Sequence, residues 1–177
     1  LQLPKLPHDL KRLKQLELLP FEALIASGVD SVMTAHLCFP RIDESYPATL
    51  SEVIISKLLR EKMNFDGLIV TDALVMAAIN KTYGPADAAV MAFSAGADLI
   101  MMPADPDLAI DAICDSLVAG TIPMERLESS LNRRSEALAK VNDFVDLQNA
   151  SQDEEPYLDD LEVESDEHKY FATDLIR

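Results

Sequence analysis

Apolar positions along residues 8–141 follow two alternating periods. Leu10, Leu13, Leu16, Phe21, Leu24 and Ile25 recur at helical spacing, and the segment closes at Gly28, the residue favoured just past a helix end. One helix is predicted there, followed by a strand over Ser31-Val32-Met33-Thr34-Ala35. Thr49-Leu50-Ser51-Glu52 offers a cap to a second helix whose apolar stripe is Val53, Ile54, Ile55, Leu58 and Leu59. The next strand is Leu68 to Thr71. Pro85 opens a third helix through Ala88, Ala89, Val90, Ala92 and Phe93, which ends at Gly96 before the apolar run Leu99-Ile100-Met101-Met102. Asp107 is placed to cap a helix that starts at Leu108 and stops near Gly120, and an amphipathic helix runs from Met124 to about Val141.

The three strands start roughly 30 to 37 residues apart, the step of βα units with right-handed crossovers. This predicts a parallel sheet with helices outside. Gly28-Val29-Asp30 and Gly96-Ala97-Asp98 precede two of the strands in the same way, so Asp30 and Asp98 are expected to be turn or capping residues at the N-terminal end of the sheet. Three parallel strands leave two edges unpaired, and the chain is expected to be part of a larger structure.

Composition narrows the function classes. The net charge of −16 opposes binding to phosphate backbones, no basic cluster interrupts it, and nucleic acid is not an expected partner. No apolar stretch approaches the roughly 20 residues that a membrane span needs. Cys38 and Cys114 lie far apart among apolar neighbours and read as two buried free thiols, which fits a reducing, cytoplasmic location. His8, His36 and His168 match no zinc-ligand spacing, so neither a metal nor a cofactor is expected.

Charge also marks a boundary. Residues 151–177 hold ten acidic side chains against Lys169 and Arg177, half of the net negative charge in a short stretch. Residues 147–168 read as an acidic, solvated linker, and 169–177 as the start of a following domain or a frayed end. A chain that opens at Leu1 with no charged, then apolar, leader is expected to be a cut rather than a natural start.

Candidate chemistry gathers at the other end of the strands. His36 follows Val32-Met33-Thr34-Ala35, Asp72 follows Leu68-Ile69-Val70-Thr71, and Pro103 follows Leu99-Ile100-Met101-Met102, so all three belong to one rim. In parallel α/β barrels that rim carries the active site. Asp72 reads either as a catalytic carboxylate or as an N-cap on a helix starting at Ala73. His36 reads as a substrate contact or a loop histidine bonded to backbone. Met33, Met76 and Met102 read as pocket lining or core filler.

Three stretches carry a resemblance: Met33-Thr34-Ala35-His36, Pro47-Ala48-Thr49-Leu50-Ser51, and Leu59-Arg60-Glu61-Lys62-Met63-Asn64-Phe65-Asp66-Gly67-Leu68-Ile69-Val70-Thr71-Asp72-Ala73-Leu74-Val75-Met76. With Gly96-Ala97-Asp98-Leu99-Ile100-Met101-Met102-Pro103 they make the chain similar to family 3 glycoside hydrolases, most closely the β-N-acetylhexosaminidase branch. The resemblance implies an α/β fold in which residues 1–146 are the C-terminal part of a (β/α)8 barrel, incomplete without an N-terminal half. It makes Asp72 the nucleophile of a retaining mechanism, with His36, Met33 and Met76 binding the sugar. The implied substrate is a terminal β-linked N-acetylglucosaminide. In that branch the proton donor is a histidine paired with an aspartate, in a loop of the form Lys-His-Phe-Pro-Gly-His-Gly followed by Asp-Ser-His. Here Leu1-Gln2-Leu3-Pro4 resembles the residues immediately C-terminal to that loop, so the donor is expected in the N-terminal half. A β-glucosidase or phosphorylase of the same family, or a noncatalytic sugar-binding fragment, stays open as an alternative.

Overall fold

A computed structural model describes residues 3–150. Leu1–Leu138 forms one compact unit, and Ala139–Arg177 a second. The predicted acidic linker from residue 151 on, the segment 169–177 and His168 lie outside the described residues.

Two strands pair in parallel: β1 (Ser31–Met33) and β2 (Leu68–Val70), with Val32 opposite Ile69 and Met33 opposite Val70. Gly67 opens β2 where only a hydrogen fits. A Cβ there would lie 2.5 Å from the Asp30 carbonyl oxygen and 2.7 Å from the Phe65 ring. That close approach lets the Leu68 N–H donate to the Asp30 carbonyl at 2.9 Å and set the register of the pair.

The expected third strand is reduced to a parallel bridge between Val70 and Leu99. The ladder begins normally, with Leu99 N–H donating to Ile69 O (3.1 Å) and Thr71 N–H to Leu99 O (3.0 Å). It then stops, because Met101 N–H donates to the Thr71 hydroxyl (2.8 Å) instead of a backbone carbonyl. At Met102 the backbone turns to φ +44°, which takes the chain out of extended geometry.

The first predicted helix is two, α1 (Leu10–Gln15) and α2 (Leu19–Ala26). Pro20 has no N–H to continue a helix and sits in the first turn of α2, where none is needed. Next comes the helix Val53–Lys62, wound with π-type bonding. Ser51 Oγ accepts its Ile54 N–H at 3.2 Å, so of the four predicted capping residues Ser51 does the capping. A short helix, α3 (Ala77–Tyr83), has no counterpart in the sequence reading; it hangs on one fully buried side chain, Ile79. It is followed by α4 (Pro85–Ala95) and α5 (Pro106–Val118). Asp105, not Asp107, caps α5, its carboxylate accepting Leu108 N–H at 3.0 Å. The last helix, α6 (Met124–Ala150), runs past its expected end at Val141.

The core lies between β2, the 53–62 helix and α4: Leu50, Ile55, Phe65, Ile69, Leu74 and Ile79 meet an alanine face formed by Ala88, Ala89, Ala92 and Ala95. Small side chains on α4 let backbones approach closely. Gly96, at φ +123°, ends that helix where a Cβ would stand 2.6 Å from Ser56 Oγ and 2.9 Å from Ile55 Cγ2. Both cysteines are free, as expected, but Cys114 is exposed on α5 and Cys38 is only half-buried, which corrects the expectation of two buried thiols.

Asp98 also exceeds its expected role. Its side chain is wholly buried, and it binds β2, the 53–62 helix and α6 together. Oδ2 accepts from Arg60 Nη2 (2.7 Å) and from Ile69 N–H (2.9 Å). Oδ1 accepts from the Ser130 hydroxyl (2.6 Å) and Arg126 Nη1 (3.3 Å), with Arg133 Nη1 at 3.5 Å. Burial pulls the Arg60 and Arg126 guanidiniums below their ordinary range, and the adjacent Asp98 charge opposes that pull.

Candidate active site

Beyond β2 the chain is bound on both sides. Thr71 is fully buried, and its hydroxyl takes the Met101 N–H. Leu74 N–H donates to Met101 O at 3.0 Å and Val75 N–H to Met102 O at 2.9 Å. These bonds hold residues 71–75 against 99–102 and fix the backbone that carries Asp72. Met102 pays for this frame with a left-handed φ that a non-glycine residue seldom adopts, a strain often found beside functional groups.

Asp72 is half-buried. Its Oδ1 accepts the N–H of Ala73 at 2.7 Å, which among the described residues is the carboxylate's one hydrogen bond. The capping alternative is excluded by geometry, since α3 begins at Ala77 with Met76 in the cap position. One oxygen is oriented by the backbone, and the other accepts no hydrogen bond among the described residues.

His36 is buried at 5 % exposure and lies one peptide away from Asp72. Its Nε2 is 3.0 Å from the Ala73 carbonyl oxygen, and its Nδ1 is 2.9 Å from Thr49 Oγ1. Thr49 is fully buried and accepts in turn from the Thr34 hydroxyl at 3.1 Å. Both ring nitrogens are therefore engaged within the protein.

The methionines separate. Met76 (46 % exposed) and Met102 (61 % exposed) belong to the segments that frame Asp72, so neither is core filler. Met33 is 66 % exposed and lines two apolar hollows together with Leu18, Phe21, Ile54 and Leu58. Asp72 lines neither hollow, so these contacts place Met33 beside α2 and the 53–62 helix. His8 lines one of the same hollows.

Sequence reasoning missed Thr49 as part of the site, and it weighed Met102 as pocket lining or core filler without its backbone turn. Thr49 sits in a run that reads as a helix cap, yet its hydroxyl serves His36. The positive φ of Met102 has no sequence signal. Chemically, a carboxylate with one fixed and one open oxygen can attack an electrophilic carbon or stabilise positive charge facing it.

Comparison with known proteins identifies the family. Residues 1–136 match the Glycosyl hydrolase family 3 N terminal domain. The chain is 34% identical to Beta-hexosaminidase A of Pseudoalteromonas piscicida over 160 residues, 78% of this chain and 27% of that protein. Its backbone is similar to a glycoside hydrolase family 3 beta-N-acetylglucosaminidase from Paenibacillus sp. str. FPU-7, with a TM-score of 0.72 and 46% identity over 75% of this chain and 26% of that one. The beta-N-acetylglucosaminidase from Thermotoga maritima gives a TM-score of 0.72 at 31% identity, over 77% of this chain and 31% of that one. The chain thus spans between a quarter and a third of the length of these proteins.

Proposed function

The chain belongs to glycosyl hydrolase family 3, and on that premise we propose that it supplies the nucleophile of a retaining β-N-acetylglucosaminidase. Asp72 attacks the anomeric carbon, a C–O bond forms to the enzyme as the glycosidic C–O bond breaks, and water later displaces the carboxylate. The leaving oxygen takes its proton from an acid outside this chain, a histidine paired with an aspartate in an N-terminal half. Together the two halves form a (β/α)8 barrel, with β1, β2 and the 99–102 segment as consecutive staves. Met76 borders the sugar subsite next to Asp72. Met33, the other expected sugar contact, would reach the subsite only from the β1 side.

The observation that carries this reading is the Asp72 carboxylate at the exit of β2, with Oδ1 fixed by the Ala73 N–H. In the full-length protein, Asp72→Ala should lower hydrolysis of an aryl N-acetylglucosaminide by on the order of 10³-fold or more, as for other nucleophile deletions. A fluorinated N-acetylglucosamine derivative should label the peptide that contains Asp72. Parental hydrolysis by the variant, or a label on another peptide, ends the proposal.

A further inference from the structure

His36, Thr49 and Thr34 form a hydrogen-bond chain that ends on the carbonyl of Ala73, the residue after Asp72, and the end groups fix its direction. The Ala73 carbonyl can only accept, so Nε2 of His36 must carry the ring proton at their 3.0 Å contact. Nδ1 is then an acceptor and takes the hydroxyl proton of Thr49 at 2.9 Å. The Thr49 oxygen remains free to accept from Thr34 at 3.1 Å. Each hydroxyl donates once, and the chain runs Thr34 to Thr49 to His36 to Ala73. The reverse tautomer would press a lone pair of Nε2 against the Ala73 carbonyl oxygen.

The Ala73 residue is thus held at both polar groups: its carbonyl by His36, its N–H by Asp72 Oδ1. We propose that His36 is a positioning residue, kept in the Nε2–H tautomer by Thr49, and that it acts on the reaction by fixing the Ala73 backbone through its carbonyl, so that the N–H of the same residue stays aimed at the Asp72 carboxylate. It does not touch the sugar. This inference rests on Asp72 being the nucleophile, and it assigns to Thr49, whose side chain is fully buried, a measurable share in catalysis.

The test uses the full-length protein and an aryl N-acetylglucosaminide. Thr49→Val keeps shape but removes the donor to Nδ1, and should lower kcat by about tenfold to a hundredfold with KM nearly unchanged, the effect of a small misplacement of a reacting group. Thr49→Ser should restore the rate. His36→Gln, whose amide N–H can take the place of Nε2–H, should keep more kcat than His36→Ala. In ¹⁵N-histidine NMR spectra, His36 should show a protonated Nε2 and a bare Nδ1 in the parent, and a mixture of tautomers in Thr49→Val. Should Thr49→Val fail to fold, the His36→Gln and His36→Ala pair decides alone.

Parental kcat in Thr49→Val, or losses at His36 that fall entirely on KM, overturn the proposal. So does a glutamine no better than alanine. Asp72→Ala run alongside separates the two readings. If that variant keeps its activity the nucleophile assignment is at fault. If it is dead while Thr49→Val is unimpaired, only the positioning role fails.

Discussion

A side chain does chemistry only if its backbone is held still, and around Asp72 the holding groups are small. Thr71 shows this most clearly: fully buried, it turns a hydroxyl toward Met101 N–H where a strand would offer a carbonyl. Thr71→Val keeps volume but leaves that amide unpaired, and should cost about 1–3 kcal/mol, read from the denaturant midpoint of the full-length protein. Thr71→Ser should recover most of it. At Gly67 the constraint is steric rather than polar. Gly67→Ala drives a methyl to within 2.5 Å of the Asp30 carbonyl oxygen and should destabilise by about 1–3 kcal/mol or more, as over-filled sites do. The position of Asp72 just past a strand was legible in the sequence because the apolar run Leu68-Ile69-Val70 and Thr71 precede it, and the glycine before that run marked where the strand begins. The Thr49–His36–Ala73 connection was not, since its partners lie 13 and 37 residues apart and nothing local marks the pairing.

At the scale of elements, the helices carried by a strong apolar period and a stop signal were readable, as α4 was between Pro85 and Gly96. Those whose form depends on distant partners were not. The break at Pro20 could have been read from the proline itself, but the loss of the third strand required the Thr71 hydroxyl and the turn at Met102. Asp98 is the strongest case, because its meaning comes from arginines on two other helices. A buried carboxylate facing Arg60, Arg126 and Arg133 leaves three cations uncompensated when it is removed. Asp98→Ala should therefore destabilise by about 3–5 kcal/mol, and Asp98→Asn by less, measured by chemical denaturation. The KM of the fraction that folds should not move, since Asp98 precedes the 99–102 segment and Asp72 sits where β2 ends. The alanine face of α4 gives a complementary forecast. Ala92→Leu inserts a branched side chain where exposure is 0%, and should cost about 1–3 kcal/mol by the same measurement.

For the molecule as a whole, the α/β class and the parallel pairing of β1 with β2 were legible from the spacing of apolar runs. Exposed apolar side chains are present as well: Leu19, Phe21, Leu24 and Met33 are all more than two-fifths exposed. Of these, Phe21 and Met33 line the hollows along β1. Expressed by itself, the 1–150 segment should bind a hydrophobic dye strongly and self-associate in size-exclusion chromatography, whereas the full-length protein should do neither. Loss of dye binding from the isolated segment on changing Phe21 and Met33 to lysine would locate the surface. The Asp98 cluster gives the molecule a further property. One carboxylate is the shared anchor for Arg126 and Ser130 on α6 and for the Ile69 amide of β2. Mechanical load applied along α6 would therefore reach the strand that ends at Asp72 through this carboxylate, while the Arg126 bonds to the Phe93 and Ala97 carbonyls pass the rest of it to α4 and its C-terminal turn.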